Sequence, residues 1–236
     1  MDPVAAWLEW ARGPVFRFAM LVLILGLARR FVLSVVGVAR AMRVAGVPRV
    51  PWRAIFLATL ASLLPVRKML NRPFYSLASV VFHICFVAVA LFFCAHVILW
   101  RRGIGFGWWS FDYRVADILT IVAVLAIVLL FLGRACTREG RRLSTGQDYF
   151  YLVLMVLPLL SGYLAAHPAV NPVSYNLMMF IHVMSGNLLM ILVPFTRLSH
   201  FVLLPTAQLV SELGWHFVPG AGQKVAVALG KENEPI

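Results

Sequence analysis

Five continuous apolar stretches, each close to the thickness of a lipid bilayer in helical length, dominate this chain of 236 residues. They run from Trp10 to Ala28, Leu77 to Trp100, Ile118 to Leu132, Tyr149 to Ala166 and Tyr175 to Pro194. A crossing helix needs about 20 such residues. The third stretch is the shortest and gains Val115 and Ala116 only by admitting Asp117 at its edge. Apolar residues run on without alternating, which excludes a membrane β-barrel. A soluble fold could not hide a chain that is 62% hydrophobic and 13% charged. The same balance excludes a disordered chain, and three cysteines are too few for a disulfide scaffold. The expected fold is all-α: a single membrane-embedded domain over residues 1–236, built as an integral membrane bundle of five transmembrane helices.

The placement of charge sets the expected orientation. With the N-terminus outside, the cytoplasmic side receives nine positives from Arg29 to Arg72, four from Arg134 to Arg142, and Arg197, Lys224 and Lys231. These make up 16 of the 21 Lys and Arg. Basic residues collect on the cytoplasmic side of multi-span proteins, so the C-terminus is expected inside. A sixth span would put both termini on one side and is less favoured. The formal net charge of +12 therefore reflects topology and not nucleic acid, for which no motif is present. Residues 31–72 form a cytoplasmic basic loop in this reading. Within it, Trp52 to Leu64 is apolar but too short to cross, and reads as an interfacial helix, with a re-entrant or partner-docking segment as the alternative. The first span is expected to end at Ala28, because Arg29 and Arg30 would be costly deeper in the bilayer. Met1 to Trp10 lacks a basic leader and a small-residue cleavage site, so the first span is expected to remain as a signal anchor. Residues 201–236 are a cytoplasmic tail, expected to fray from Gly220 onward unless a partner orders it.

No Asp or Glu falls inside a span; Asp117 comes nearest. That weakens an ion-coupled transporter, which usually carries a carboxylate at mid-membrane. The intramembrane ionisable groups are histidines instead: His83 and His96 in the second span, His182 and His200 in or at the end of the fifth. A neutral imidazole in a bilayer can bind haem iron, or it can hydrogen-bond to a neighbouring helix. Two histidines at different depths on each of two helices suit two stacked haems. Antiparallel packing pairs His83 with His200 near the cytoplasm and His96 with His182 near the outside. On ideal helices His182 and His200 share a face, whereas His83 and His96 lie roughly 140° apart, so something must rotate; Pro194 is placed to kink the fifth span. Ser185, Gly186 and Ala95 are small enough to admit a flat macrocycle or a neighbouring helix. Arg197 can meet a haem propionate near His200 or serve as a cytoplasmic anchor. His167 and His216 are expected to be solvated. Cys85, Cys94 and Cys136 form no C-x-x-C, so iron–sulfur clusters and covalent haem are not expected in this chain.

The run from His182, HVMSGNLLMILVPFTRLSHFVLLP, resembles the fifth helix of the gamma (cytochrome b) subunit of membrane-bound respiratory nitrate reductase. Pro194, Phe195, Arg197, Leu198 and His200 match its Pro-Phe-x-Arg-Leu-x-His ending, and Phe82 and His83 match the Phe-His entry of its other ligand pair. The resemblance implies His83, His96, His182 and His200 as ligands of two haem b groups, and a quinol site beside the outer haem, with Arg114 in the place of a basic residue that helps bind quinol. The spacing of His83 and His96 is longer than the family's, which makes His96 the departing ligand. With the extended inner loop, it points to a relative in another transmembrane redox complex, such as those of sulfate-reducing bacteria.

The expected function is that of a di-haem cytochrome b in the cell inner membrane. It would exchange electrons between a quinone pool and a cytoplasmic iron–sulfur or catalytic subunit docked on the basic loops. A small transporter or channel with a histidine proton relay is the rival, and a scaffold with hydrogen-bonding histidines is a third possibility.

Overall fold

The computed structural model describes residues 3–45, 51–63, 72–217 and 220–233. It is 86% helical, with no strand among the described residues. In chain order the helices are α1 (Pro3–Trp10), α2 (Phe16–Ala45), α3 (Trp52–Leu63), α4 (Pro73–Phe92), α5 (Cys94–Ile104), α6 (Tyr113–Cys136), α7 (Arg138–Leu143), α8 (Gly146–Ala166), α9 (Tyr175–Leu192), α10 (His200–Phe217) and α11 (Ala221–Ala228). A π-helical turn covers Ala11–Val15, and 3-10 turns cover Val193–Phe195 and Arg197–Ser199. Among the described residues, five helical segments are long and apolar enough to cross a membrane: Pro3–Val44, Pro73–Phe92, Tyr113–Cys136, Gly146–Ala166 and Tyr175–Phe195. Each contains most of one expected span, so the chain is an all-α multi-pass membrane protein.

The chain divides into two compact units. One has the bounds Met1–Val22 and Arg67–Leu192, the other Leu23–Val66 and Val193–Ile236. In the first unit, Ala78, Phe82, Cys85 and Val89 bury one stripe of α4 at alternating three- and four-residue steps. Ala123, Ala126, Ile127 and Leu130 of α6 meet that stripe, together with Leu159 of α8. The small residues let the helices approach closely, as membrane helices require. The opposite face of α6, with Ile118, Ile121, Leu125, Leu129 and Leu132, is apolar and exposed. A helix apolar all round belongs in a protein core or in lipid. Leu8 and Ala11 pack on Val183 of α9, and the buried Asn187 amide donates to the Ala11 carbonyl at 3.0 Å. Side chains fix several helix starts: Asp112 accepts from Val115 N–H at 3.1 Å, and Thr137 accepts from Gly140 N–H at 2.9 Å.

In the second unit α3 packs on α10, burying Ile55 and Leu213. Gly26 of α2 lies so close to Pro194 that a Cβ there would overlap the proline ring.

Three elements depart from the sequence expectation. α2 runs through Arg29 and Arg30 to Ala45, because arginine is a good helix former and charge limits where a span leaves the bilayer, not where a helix stops. The tail is helical over His200–Phe217 and again over Ala221–Ala228, starting from a left-handed Gly220 (φ 71°) and burying Ala226. The second and fifth spans are both interrupted, at Phe93 and at Val193–Ser199. Parts of the expected basic loop, including Arg49, Arg67 and Lys68, lie outside the described residues, as does the His216 side chain.

Candidate functional site

The second span breaks at Phe93, whose extended backbone (φ −67°, ψ 133°) separates α4 from α5. The last four carbonyls of a helix lack intrahelical donors, and the bilayer interior has no water to supply them. Here each has a protein donor. Val89 accepts from Phe93 N–H at 3.3 Å and from His96 Nδ1 at 2.8 Å. Ala90 accepts from the Trp100 indole at 3.3 Å and Leu91 from the Trp108 indole at 2.8 Å. Phe92 accepts from Phe111 N–H at 2.9 Å, while Cys94 N–H donates to Phe111 O at 3.1 Å. The loop carrying Trp108 and Phe111 turns back at Gly105, whose left-handed backbone (φ 87°) caps α5.

This break places His96 beside His182. Their rings are nearly parallel, 9° apart, with centroids separated by 5.8 Å. On α9, His182 Nδ1 donates to the Pro158 carbonyl of α8 at 2.8 Å. Glycine at 162, one turn beyond that carbonyl, makes the approach possible: a Cβ there would sit 2.8 Å from both Cε1 and Nδ1 of His182. A carbonyl oxygen can only accept, so Nδ1 of both histidines carries the proton and Nε2 of the neutral ring keeps its lone pair. Neither Nε2 has a protein hydrogen-bond partner among the described residues. An Nδ1–H anchored on a backbone carbonyl is the usual support of a histidine that binds metal through its other nitrogen. Two imidazoles on opposite sides of one metal, at about 2 Å per bond, have centroids about 6 Å apart. The observed spacing also suits an offset aromatic pair; what distinguishes this pair is that both Nε2 atoms lack a hydrogen-bond partner among the described residues.

The other sequence-selected residues have the following surroundings. His83 is exposed on α4, with Nδ1 donating to Ser79 O at 2.6 Å. His200 opens α10 in the second unit, exposed, with Nδ1 donating to Arg197 O at 3.0 Å. Arg197 and His200 sit three apart across a 3-10 turn, where such side chains eclipse. The ideal-helix arithmetic relating His182 to His200 does not apply, because the intervening backbone is not α-helical. Arg114 is exposed on the first turn of α6. His167 is half-buried: Nδ1 donates to Tyr163 O at 2.8 Å, and Nε2 lies 3.3 Å from Asp117 Oδ2. Ser185 Oγ donates to His182 O at 2.9 Å, and the space beside Gly186 is open. Among the described residues no three His, Cys, Asp or Glu side chains gather to hold a bare metal ion. A metal at His96 and His182 would therefore need its remaining ligands from outside these described side chains. Phe93, Trp108, Pro158 and Gly162 escaped the sequence reading. Only the Pro-x-x-x-Gly spacing inside α8 carried a signal, two poor helix formers where the helix nonetheless persists.

No family model matches the chain, and no solved structure matches it. A curated protein of Nitratidesulfovibrio vulgaris (strain Hildenborough), named simply "Protein", is 35% identical over 133 residues, which is 56% of this chain and 58% of that relative. The match thus spans less than two thirds of the relative's length.

Proposed function

We propose that the chain is the five-span, di-haem cytochrome b subunit of a redox complex in the cell inner membrane, similar to the gamma subunit of respiratory nitrate reductase. It exchanges electrons between a quinone pool and a partner iron–sulfur subunit. The observation that carries the reading is the His96–His182 pair, with near-parallel rings, both Nδ1 atoms on backbone carbonyls and both Nε2 atoms without a hydrogen-bond partner among the described residues. These residues fit a haem: two imidazole nitrogens are available, and among the described residues no cluster of three His, Cys, Asp or Glu gathers to hold a bare metal ion instead.

In this reading His96 and His182 would hold one haem b, and the resemblance assigns His83 and His200 to the other. When bound, haem iron supplies one-electron transfer between ferric and ferrous states. The chain fixes the ligand tautomers through four backbone carbonyls and sets the depth and dielectric of the site. By the same resemblance, Arg197 would meet a propionate of the haem at His200, and Arg114 would help bind quinol. Arg138, Arg141 and Arg142, all exposed, offer the partner subunit a basic docking face.

The reduced-minus-oxidised visible spectrum of the purified protein, with pyridine haemochrome quantitation, tests this directly. Two haem b per chain are expected, and absence of b-type bands from haem-replete material would sink the reading. His96→Ala or His182→Ala should remove one haem and His83→Ala or His200→Ala the other. A histidine-relay transporter is the second reading, favoured by the interrupted second span, since transporters place ion sites at such breaks. The four carbonyls at this break already hold protein donors, which weighs against a cation site there.

A further inference from the structure

We infer that the segment from Gly105 to Asp112 is a strap that positions His96 for metal ligation, and that Trp108 is its positioning residue. The inference deepens the haem reading and rests on it for the ligand role. In an uninterrupted helix the carbonyls of Ala90, Leu91 and Phe92 would accept from the backbone N–H groups of Cys94, Ala95 and His96. In this protein the Trp100 indole, the Trp108 indole and Phe111 N–H occupy those acceptors. Trp108 and Phe111 belong to the strap and Trp100 to α5, so the strap replaces two of the three donors that would let α4 run on through Phe93. No proline or glycine lies at the break: the local sequence, ALFFCAH, is compatible with helix throughout. What ends α4 comes from about 15 residues further along the chain.

The consequence falls on His96. It leads off the first turn of α5, and its Nδ1 reaches back across the break to Val89 O. If Leu91 O loses the Trp108 indole, the nearest replacement donor is Ala95 N–H. Recruiting it continues α4, turns α5 about its axis and carries the His96 ring away from His182. Trp108 touches neither histidine among its hydrogen-bond and ring contacts, which are to Leu91 O, Trp100 and Phe106; it acts through the helix end.

The test compares full-length wild type with Trp108→Phe, which keeps an aromatic ring but removes the donor. Trp109→Phe is the control, because Trp109 is exposed and makes ring contacts to Phe92 and Phe111 without a hydrogen bond to the break. Two readouts are taken in nanodiscs. One is the low-spin ferric paramagnetic resonance of the haem that is lost in His182→Ala. The other is amide hydrogen exchange over residues 105–112. Trp108→Phe should shift or abolish that resonance, leave the second haem's signal in place, and speed exchange in the strap several-fold. Trp109→Phe should do neither. Unchanged exchange in Trp108→Phe, or equal effects of both substitutions, overturns the inference. If wild type carries no haem, the haem reading falls and exchange alone decides whether the strap exists. Should Trp108→Phe fail to accumulate, Trp108→Leu, which removes the same donor to Leu91 O, carries the same two expectations.

Discussion

At position 162 a hydrogen atom stands where any other residue would press a Cβ into the His182 ring. A substitution there therefore acts on the His96–His182 pair, and in the haem reading on a ligand. Gly162→Val should displace the imidazole, cost about 1–3 kcal/mol by overpacking, and remove one haem while sparing the other. Haem stoichiometry and thermal unfolding measure the two effects separately. Gly186→Ala, entering open space, should leave both unchanged. At this scale the sequence named the chemistry but not the contacts. His96 and His182 stand out as ionisable groups in apolar surroundings, and His96 was the ligand that departed most from the family spacing. The roughly 140° offset that an ideal helix would impose between His83 and His96 does not apply, because the helix breaks between them at Phe93. His167, expected to be solvated, is half-buried and meets Asp117.

Among the elements, the apolar stretches located the helices well but their ends poorly. A stretch ends where lipid ends, while a helix ends where its backbone groups find other partners. α6 extends from Tyr113, past Asp117, because Asp112 caps it. α2 passes through two arginines because nothing in their side chains interrupts the backbone ladder. The interruption near Pro194 was foreseeable from the proline; its close contact with Gly26 was not, because the two are far apart in sequence. Gly26→Leu should force the Val193–Phe195 turn away from α2 and destabilise the second unit by about 1–3 kcal/mol. The haem assigned to His83 and His200 should be perturbed before the other, as read from the two resonances. The Asp117–His167 contact joins α6 to the end of α8 across a half-exposed site. Asp117→Asn should lower stability by less than about 1 kcal/mol, a small shift in the thermal midpoint.

For the whole molecule, the expected orientation is open to a direct measurement with a native residue. Cys136 is exposed at the end of α6, whereas Cys85 is buried. A membrane-impermeant maleimide should label Cys136 from the cytoplasmic side only; labelling from the outer side would reverse the topology read from the basic residues. The sequence by itself determined the class of protein, the number of spans and the residue type available for ligation. Each follows from transfer free energies, which depend on composition along the chain and not on which parts meet. Tertiary structure decided which histidines come together. The break at Phe93 depends on donors from Trp108 and Phe111, and the approach of His182 to Pro158 depends on a glycine in a neighbouring helix. Hydrogen bonds to a helix end and van der Waals clearance are pairwise and short-ranged, so they are settled only when distant segments pack.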